Sequence, residues 1–264
     1  MSVLSTLTLV PRAVRKAMRL AGVSRAGYLF ARNWSAPNIG ATVPGRTTNP
    51  LKSFFDARTT GRGIWKWEHY FDIYHRHFAK FVGRDVHLVE IGIYSGGSLE
   101  MWADYLGPRA TIYGVDIEEA CRAYEGGQLR VHIGDQADRE FWRKFRQSVP
   151  QLDVVVDDGG HTPKQQIVTL EELLPYLRPG GVYLGEDVHG IHHELAAYAA
   201  GLVSHFNAAE QKAGELLAAT PTAFQKAVYS IHFYPYVLVI ERTDAPVEQF
   251  SAPKHGTEWQ PFLK

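Results

Sequence analysis

The chain has 264 residues, 45% of them hydrophobic, enough to bury one domain of about 200 residues with extensions. Its formal charge is zero and Cys121 is its single cysteine, so an intramolecular disulfide is excluded and no Cys/His spacing suggests structural zinc. No apolar run approaches the roughly 20 residues that a bilayer span needs, and a reducing, cytoplasmic setting is the expectation.

Charge is unevenly placed along the chain. Arg12, Arg15, Lys16, Arg19, Arg25, Arg32, Arg46 and Lys52 all precede the first acidic residue, Asp56. Residues 1–55 therefore carry +8, and the remainder, with 20 basic against 28 acidic residues, carries −8. Residues 11–21 read as an amphipathic helix, with Val14, Ala17, Met18 and Ala21 on one side and the basic residues on another. Three readings of this arm stay open: docking on the acidic part of its own oligomer, peripheral contact with an anionic membrane near a lipid-linked substrate, or a cleaved leader. Val10-Pro11 ends any apolar stretch early and the arginines follow it, which counts against a leader. The acidic remainder counts against nucleic acid.

Residues 35–63 are rich in Pro, Gly, Asn and Thr and read as a connecting loop. The expected organisation is a basic arm and linker over 1–62, a domain over 63–245 and a tail over 246–264. Residues 63–80 place Trp65, Trp67, Tyr70, Phe71, Tyr74 and Phe78 at near-helical spacing, which predicts a helix packed on a sheet or a subunit neighbour. The alternative is a lid that touches cofactor or acceptor through Trp67, His69 or Tyr70.

Strands are predicted at 86–91, 111–115, 129–133, 152–156 and 181–185, with helices at 98–106, 138–147 and 163–177. This alternation predicts a parallel sheet with helices on both faces. Thr162-Pro163 is a helix start, a hydroxyl cap followed by proline, and Arg178-Pro179-Gly180-Gly181 reads as a turn. Helices at 191–206 and 208–219 follow. Runs at 227–233 and 236–241, broken by Tyr234-Pro235, predict a closing antiparallel hairpin.

Glu90-Ile91-Gly92-Ile93-Tyr94-Ser95-Gly96-Gly97-Ser98 follows a strand and opens a helix. The glycine spacing is not the G-x-G-x-x-G dinucleotide fingerprint, and Glu90 would repel a pyrophosphate. It would favour the cationic amino and sulfonium groups of S-adenosylmethionine. Gly92, Tyr94, Ser95 and Ser98 would lie along that cofactor. Asp116 ends the second strand, suited to ribose hydroxyls. Asp135 and Gln136 end the third, suited to adenine, and Asp157 ends the fourth beside them.

Asp157-Asp158-Gly159-Gly160-His161 and Glu186-Asp187 follow adjacent apolar strands, so their carboxylates should emerge at one carboxyl edge. Asp158, Glu186 and Asp187 form a hard-cation set suited to Mg²⁺ or Mn²⁺. His161 would be the general base and Asp158 would share in catalysis. The plainer reading makes these acids helix caps and solvated turns. His189, His192 and His193 allow a zinc site but fit a substrate loop or helix start better, and His132 and His232 read as structural.

On these residues the chain resembles the metal-dependent class I O-methyltransferases of natural-product sugars, of the mycinamicin and tylosin macrolide type, and the cephalosporin-hydroxylase-like group. The carrying motifs run from Glu90 to Ser98, through Asp116, Gly134-Asp135 and the Asp157 to His161 stretch, to the Arg178 turn and Glu186-Asp187. The resemblance covers about residues 60 to 190. It implies a Rossmann-like, seven-stranded, mostly parallel sheet whose last two strands are the C-terminal antiparallel hairpin. It also implies Mg²⁺ on Asp158, Glu186 and Asp187, His161 as base, and a homo-oligomer. The chain departs from that pattern in having a basic arm where the mycinamicin-type enzymes have a large extra domain, and Glu186 where a second aspartate is expected. The expected function is methylation of a sugar hydroxyl on a glycosylated natural product or cell-surface saccharide. The alternatives are a non-sugar small-molecule hydroxyl, an NAD-dependent oxidoreductase, and a non-catalytic accessory protein.

Overall fold

A computed structural model describes residues 12–35, 48–190, 193–208, 218–253 and 255–256. The chain divides into two compact units, Met1–Thr47 and Thr48–Lys264. In the first, helix α1 (Arg12–Arg32) runs well past the predicted 11–21. Its side chains from Val14 onward are exposed, and Arg32 in its last turn complements the negative end of the helix dipole.

The second unit begins inside the stretch expected to be loop. Pro50–Ala57 forms helix α2, because the Asn49 side chain caps the Leu51 and Lys52 amides and Pro50 fits the first turn. Leu51 is buried in the core, so this helix belongs to the unit, and the expected boundary at 62 moves to Thr48. The aromatic run at 63–80 is helical only over α3 (Tyr70–Phe78), where Tyr70, Phe71, Tyr74 and Phe78 are buried. Trp65 and Trp67, read as part of that helix, stand exposed on the extended segment before it.

From there the elements are β1 (His87–Ile91), α4 (Gly97–Leu106), β2 (Thr111–Asp116), β3 (Leu129–Ile133), α5 (Arg139–Ser148), β4 (Leu152–Asp157), α6 (Pro163–Leu173) and β5 (Leu177–Gly185). Then come α7 (Glu194–Phe206), β6 (Ala218–Ala219), α8 (Ala223–Ala227), β7 (Val228–Tyr234), β8 (Val237–Arg242) and β9 (Phe250–Ser251). The predicted cap of α6 is present as a full capping box between Thr162 and Gln165. The predicted turn at Arg178–Gly181 is instead part of β5. Gly180 absorbs the bend at φ +75, and its amide donates to the Thr243 carbonyl at 2.8 Å, which keeps the strand paired through it. Most of the helix expected at 208–219 lies outside the described residues. The short strands β6 and β9 pair antiparallel with each other.

Seven strands form one sheet in the order β3-β2-β1-β4-β5-β8-β7. The first five are mutually parallel, and β8 and β7 add antiparallel. This is the predicted class I methyltransferase sheet with its closing hairpin. Alternation along the strands feeds two cores. Leu88, Val154, Val156 and Leu184 pack with Leu51, Tyr74 and Trp102 on one face. Val89, Val155, Tyr183 and Ile240 pack with Trp142, Phe145, Leu170 and Leu195 on the other. The order reverses between β1 and β4, which is where an open α/β sheet offers a ligand crevice.

Candidate active site

Register explains why the functional residues meet. Ile91 pairs with Asp157 and Asp157 with Gly185, so Gly92, Asp158 and Glu186 leave the sheet side by side. Backbone bonds tie these exits together: the Asp158 amide donates to the Ile91 carbonyl at 3.0 Å, and the Glu186 amide to the Asp157 carbonyl at 2.9 Å. Above them opens a cavity of about 1120 Å³. Gly92, Tyr94, Ser95, Ser98, Asp116, Asp135, Gln136, Asp158, His161, Glu186 and Asp187 all line it. Gly92 sits at φ +88, and a Cβ there would lie 2.1 Å from the Asp158 carbonyl oxygen. The turn closes this tightly only with glycine.

Two expected cofactor contacts do not reach the cavity. Glu90 is fully buried beneath the turn, where it accepts the Ser98 hydroxyl at 2.6 Å and the Lys66 ammonium at 3.1 Å. Burial raises its carboxyl above the ordinary range, against the pull of Lys66 and Ser98. Asp157 is also fully buried and accepts the Tyr183 hydroxyl at 2.8 Å and the Gln136 amide at 3.0 Å. Burial pushes its carboxyl up to about 7, with those two hydrogen bonds opposing. Glu90 braces the glycine turn from below through Ser98, and Asp157 anchors Gln136 and Tyr183.

Asp116 and Gln136 line the cavity and also hold its shape. Asp116 Oδ2 accepts the Ile93 and Tyr94 amides at 2.8 and 3.2 Å. A carboxylate offers about four acceptor sites, so acceptor capacity remains for a ligand hydroxyl. The Gln136 side chain accepts the Gly160 amide at 2.6 Å and donates to Asp157 and Thr169.

On the same cavity wall, Asp158, His161 and Asp187 present ligand atoms that all lie within 4.8 Å of one another. His161 Nε2 lies 3.5 Å from Asp187 Oδ2. Asp187 has φ +54, an uncommon backbone for a non-glycine residue, and is held there from two sides. The Tyr70 hydroxyl donates to its Oδ1 at 2.8 Å and the Trp67 indole at 3.1 Å. Burial first, and then the bond to Asp187, raises the Tyr70 phenol. Glu186 lies deeper than the expectation of three equal ligands. It is 1% exposed and accepts the Tyr74 hydroxyl at 2.7 Å. Burial and the charge of Asp158 hold its carboxyl well above the carboxylate range, against Lys66.

Nothing in the local sequence marks Lys66. Its ammonium lies 2.6 Å from Asp158, 3.1 Å from Glu90 and 3.1 Å from Glu186. Burial works against its charge, but the three carboxylates outweigh burial and hold its pKa well above the ordinary lysine value. Its partners stand 24, 92 and 120 positions away, so no local spacing announces it.

His189 stands exposed at the rim, its ring 5.5 Å from Tyr236; His193 is the N-cap position of α7. His192 lies outside the described residues. His132 packs edge-on against Phe145 at 5.0 Å. His232 joins a second cluster with His77 and Glu241. There the His77 ring bonds Glu241 at 2.8 Å and the Tyr234 hydroxyl at 2.9 Å, which links α3 to the hairpin.

Residues 89–188 match a family described as a methyltransferase domain. The chain carries a methyltransferase domain. It is 32% identical over 224 residues to an 8-demethyl-8-alpha-L-rhamnosyl tetracenomycin-C 2'-O-methyltransferase of Streptomyces olivaceus, covering 77% of this chain and 56% of that one. It is 35% identical to a demethylmacrocin O-methyltransferase of Streptomyces fradiae, covering 61% and 41%. Among solved structures, MycE methyltransferase from the mycinamycin biosynthetic pathway, in complex with Mg and SAH, superposes with a TM-score of 0.61 at 25% identity, covering 75% and 55%. The resemblance to sugar O-methyltransferases of natural products is borne out, and the sheet of the methyltransferase domain matches theirs. The chain spans little more than half the length of the first of these relatives and less of the second.

The donor chemistry around the domain's acidic end fits a hard cation. Asp158 and Asp187 offer carboxylate oxygens within 4.8 Å of one another, donors that suit Mg²⁺ or Mn²⁺, and His161 stands beside them. Glu186, joined to Asp158 through Lys66, would be the third carboxylate of that set. No described helix is long and apolar enough to cross a membrane.

Proposed function

We propose that this chain is an S-adenosylmethionine-dependent O-methyltransferase that methylates a sugar hydroxyl on a glycosylated small molecule, with a divalent cation as cofactor. The observation that carries the reading is the shared cavity. Its wall brings the glycine turn and Asp116 together with Asp158, His161 and Asp187. The named activities of the relatives support the choice of a sugar acceptor and favour this reading over the oxidoreductase and accessory ones.

When bound, S-adenosylmethionine supplies the methyl group and the cation makes a coordinated hydroxyl more acidic. The chain's own residues do the rest. Gly92 and the amides of the turn let the cofactor lie close to the backbone. Asp158 and Asp187 would hold the cation, and His161, beside them, would take the acceptor's proton on its imidazole. Asp187, close to Nε2, steadies the imidazolium that results. Trp65 and Tyr94, 6.5 Å apart, form part of the cavity wall, and much of the acceleration comes from alignment.

Calorimetric titration of S-adenosylmethionine into metal-stripped protein, with and without Mg²⁺, tests the cofactor assignment. Saturation near one site per chain supports it, and transfer of labelled methyl to rhamnosyl or related deoxysugar glycosides then tests the acceptor class. Absence of binding in both conditions overturns the reading.

A further inference from the structure

Lys66 places one ammonium among three carboxylates. It has three protons to donate, and four carboxylate oxygens lie within 3.2 Å: one each on Asp158 and Glu90 and both of Glu186. Its side chain is 3% exposed, so water contributes little to screening. Two of its partners, Asp158 and Glu186, belong to the cation set proposed above. The third, Glu90, is sealed beneath the glycine turn and also held by Ser98.

The position of Lys66 on the chain adds a second observation. It lies on the extended segment between α2 and α3, outside the matched methyltransferase domain at 89–188. Its neighbour Trp67 holds Asp187. One short segment therefore contacts three acidic residues of the cation set, Asp158 and Glu186 through an ammonium and Asp187 through an indole. Net ligand charge is a main determinant of divalent-cation affinity, and an ammonium 2.6 Å from Asp158 Oδ2 both neutralises charge and occupies a lone pair.

We propose that Lys66 is an internal counter-cation that competes with the divalent cation for Asp158 and Glu186. Metal entry then requires the ammonium to withdraw from these two carboxylates and rest on Glu90, the partner that faces no cavity. The ammonium thus keeps the carboxylates folded and paired before metal arrives, and weakens metal affinity in return. This inference rests on the metal-dependent reading of the site.

The test measures Mn²⁺ binding to the full chain, by loss of the free Mn²⁺ paramagnetic resonance signal, for wild type, Lys66→Met and Lys66→Arg. Thermal unfolding is followed with and without Mn²⁺. Competition predicts that Lys66→Met binds Mn²⁺ about tenfold or more tightly than wild type, while its metal-free form melts earlier and recovers more on adding Mn²⁺. Lys66→Arg, which keeps the charge, should not tighten binding. Equal or weaker Mn²⁺ binding by Lys66→Met overturns the proposal and makes Lys66 a support for the ligands instead. Should metal-free Lys66→Met fail to fold, Lys66→Gln, which keeps polar contacts without the charge, gives the same comparison. Failure of every form, wild type included, to bind Mn²⁺ overturns the metal reading itself and this proposal with it.

Discussion

The Tyr70 hydroxyl stands between the Asp187 carboxylate and the Asp187 amide, donating to Oδ1 at 2.8 Å and accepting from the backbone nitrogen at 3.3 Å. One phenol on α3 thereby fixes a turn that leaves β5 with a left-handed backbone. Tyr70→Phe removes both bonds and keeps the ring. Loss of such a support to a ligand costs about 10–100-fold in metal affinity or activity. Mn²⁺ titration should show the weakening with an unchanged circular dichroism spectrum; unaltered affinity would remove Tyr70 from the site's support.

His161→Ala should lower turnover on a competent acceptor by about 10²–10⁴-fold, the usual contribution of a positioned general base. S-adenosylmethionine affinity should stay near wild type, because the glycine turn and Asp116 are untouched. A variant that turns over at the wild-type rate would exclude His161 as the base.

Gly92→Ala meets two obstacles at once. Its backbone sits at φ +88 and the added methyl would lie 2.1 Å from the Asp158 carbonyl oxygen. The backbone strain alone is worth about 1–3 kcal/mol, and relief of the clash has to separate β1 from β4. Thermal unfolding should register a clear loss of stability, and calorimetry a loss of cofactor binding.

The placement of α2 gives a test of where the folded unit starts. Leu51 is 1% exposed, and truncating a buried leucine to alanine costs about 2–5 kcal/mol. Leu51→Ala should melt markedly earlier than wild type, and a chain beginning at Gly63 should be less stable than one beginning at Thr48. Equal melting temperatures would return α2 to the status of a linker.

Acid stability should depend on Glu241. Its bond to His77, assisted by Lys80 and opposed by burial, holds its carboxyl below the ordinary 4.5. A depressed folded pKa adds stability that is present above the unfolded value and lost as pH falls through the folded one. Melting temperature should therefore drop as pH falls below about 4.5, and Glu241→Gln should flatten that drop while costing stability near neutrality. An unchanged acid limb in the variant would exclude this contribution.

Much of the site was legible because strands end where carboxylates begin. Asp116, Asp158 and Glu186 each follow an apolar run, and parallel pairing does the rest. The α6 cap at Thr162 and the hairpin around Tyr234-Pro235 were equally local. Lys66 was not legible, because a buried lysine is recognised only by partners that the fold brings from distant positions. Trp65 and Trp67 misled for a related reason: their spacing with Tyr70 and Tyr74 fits a helix, yet their side chains belong to a cavity wall. Glu90 and Asp157 were correctly placed at strand ends, but sequence does not reveal that they face inward. Gly180 looked like a turn because glycine after proline usually is one, whereas the Thr243 carbonyl keeps it in the ladder.

The extended segment and α3 have a consequence for building chimeras. A graft of residues 89–188 alone into a related enzyme would carry His161, Asp158 and the glycine turn. It would leave behind Lys66, Trp67, Tyr70 and Tyr74, the side chains that touch Asp158, Asp187 and Glu186 from outside that stretch. Such a transplant would arrive with its acids and without their escorts. The transferable cassette begins no later than Gly63, and a library that shuffles natural relatives should place its crossover upstream of that residue.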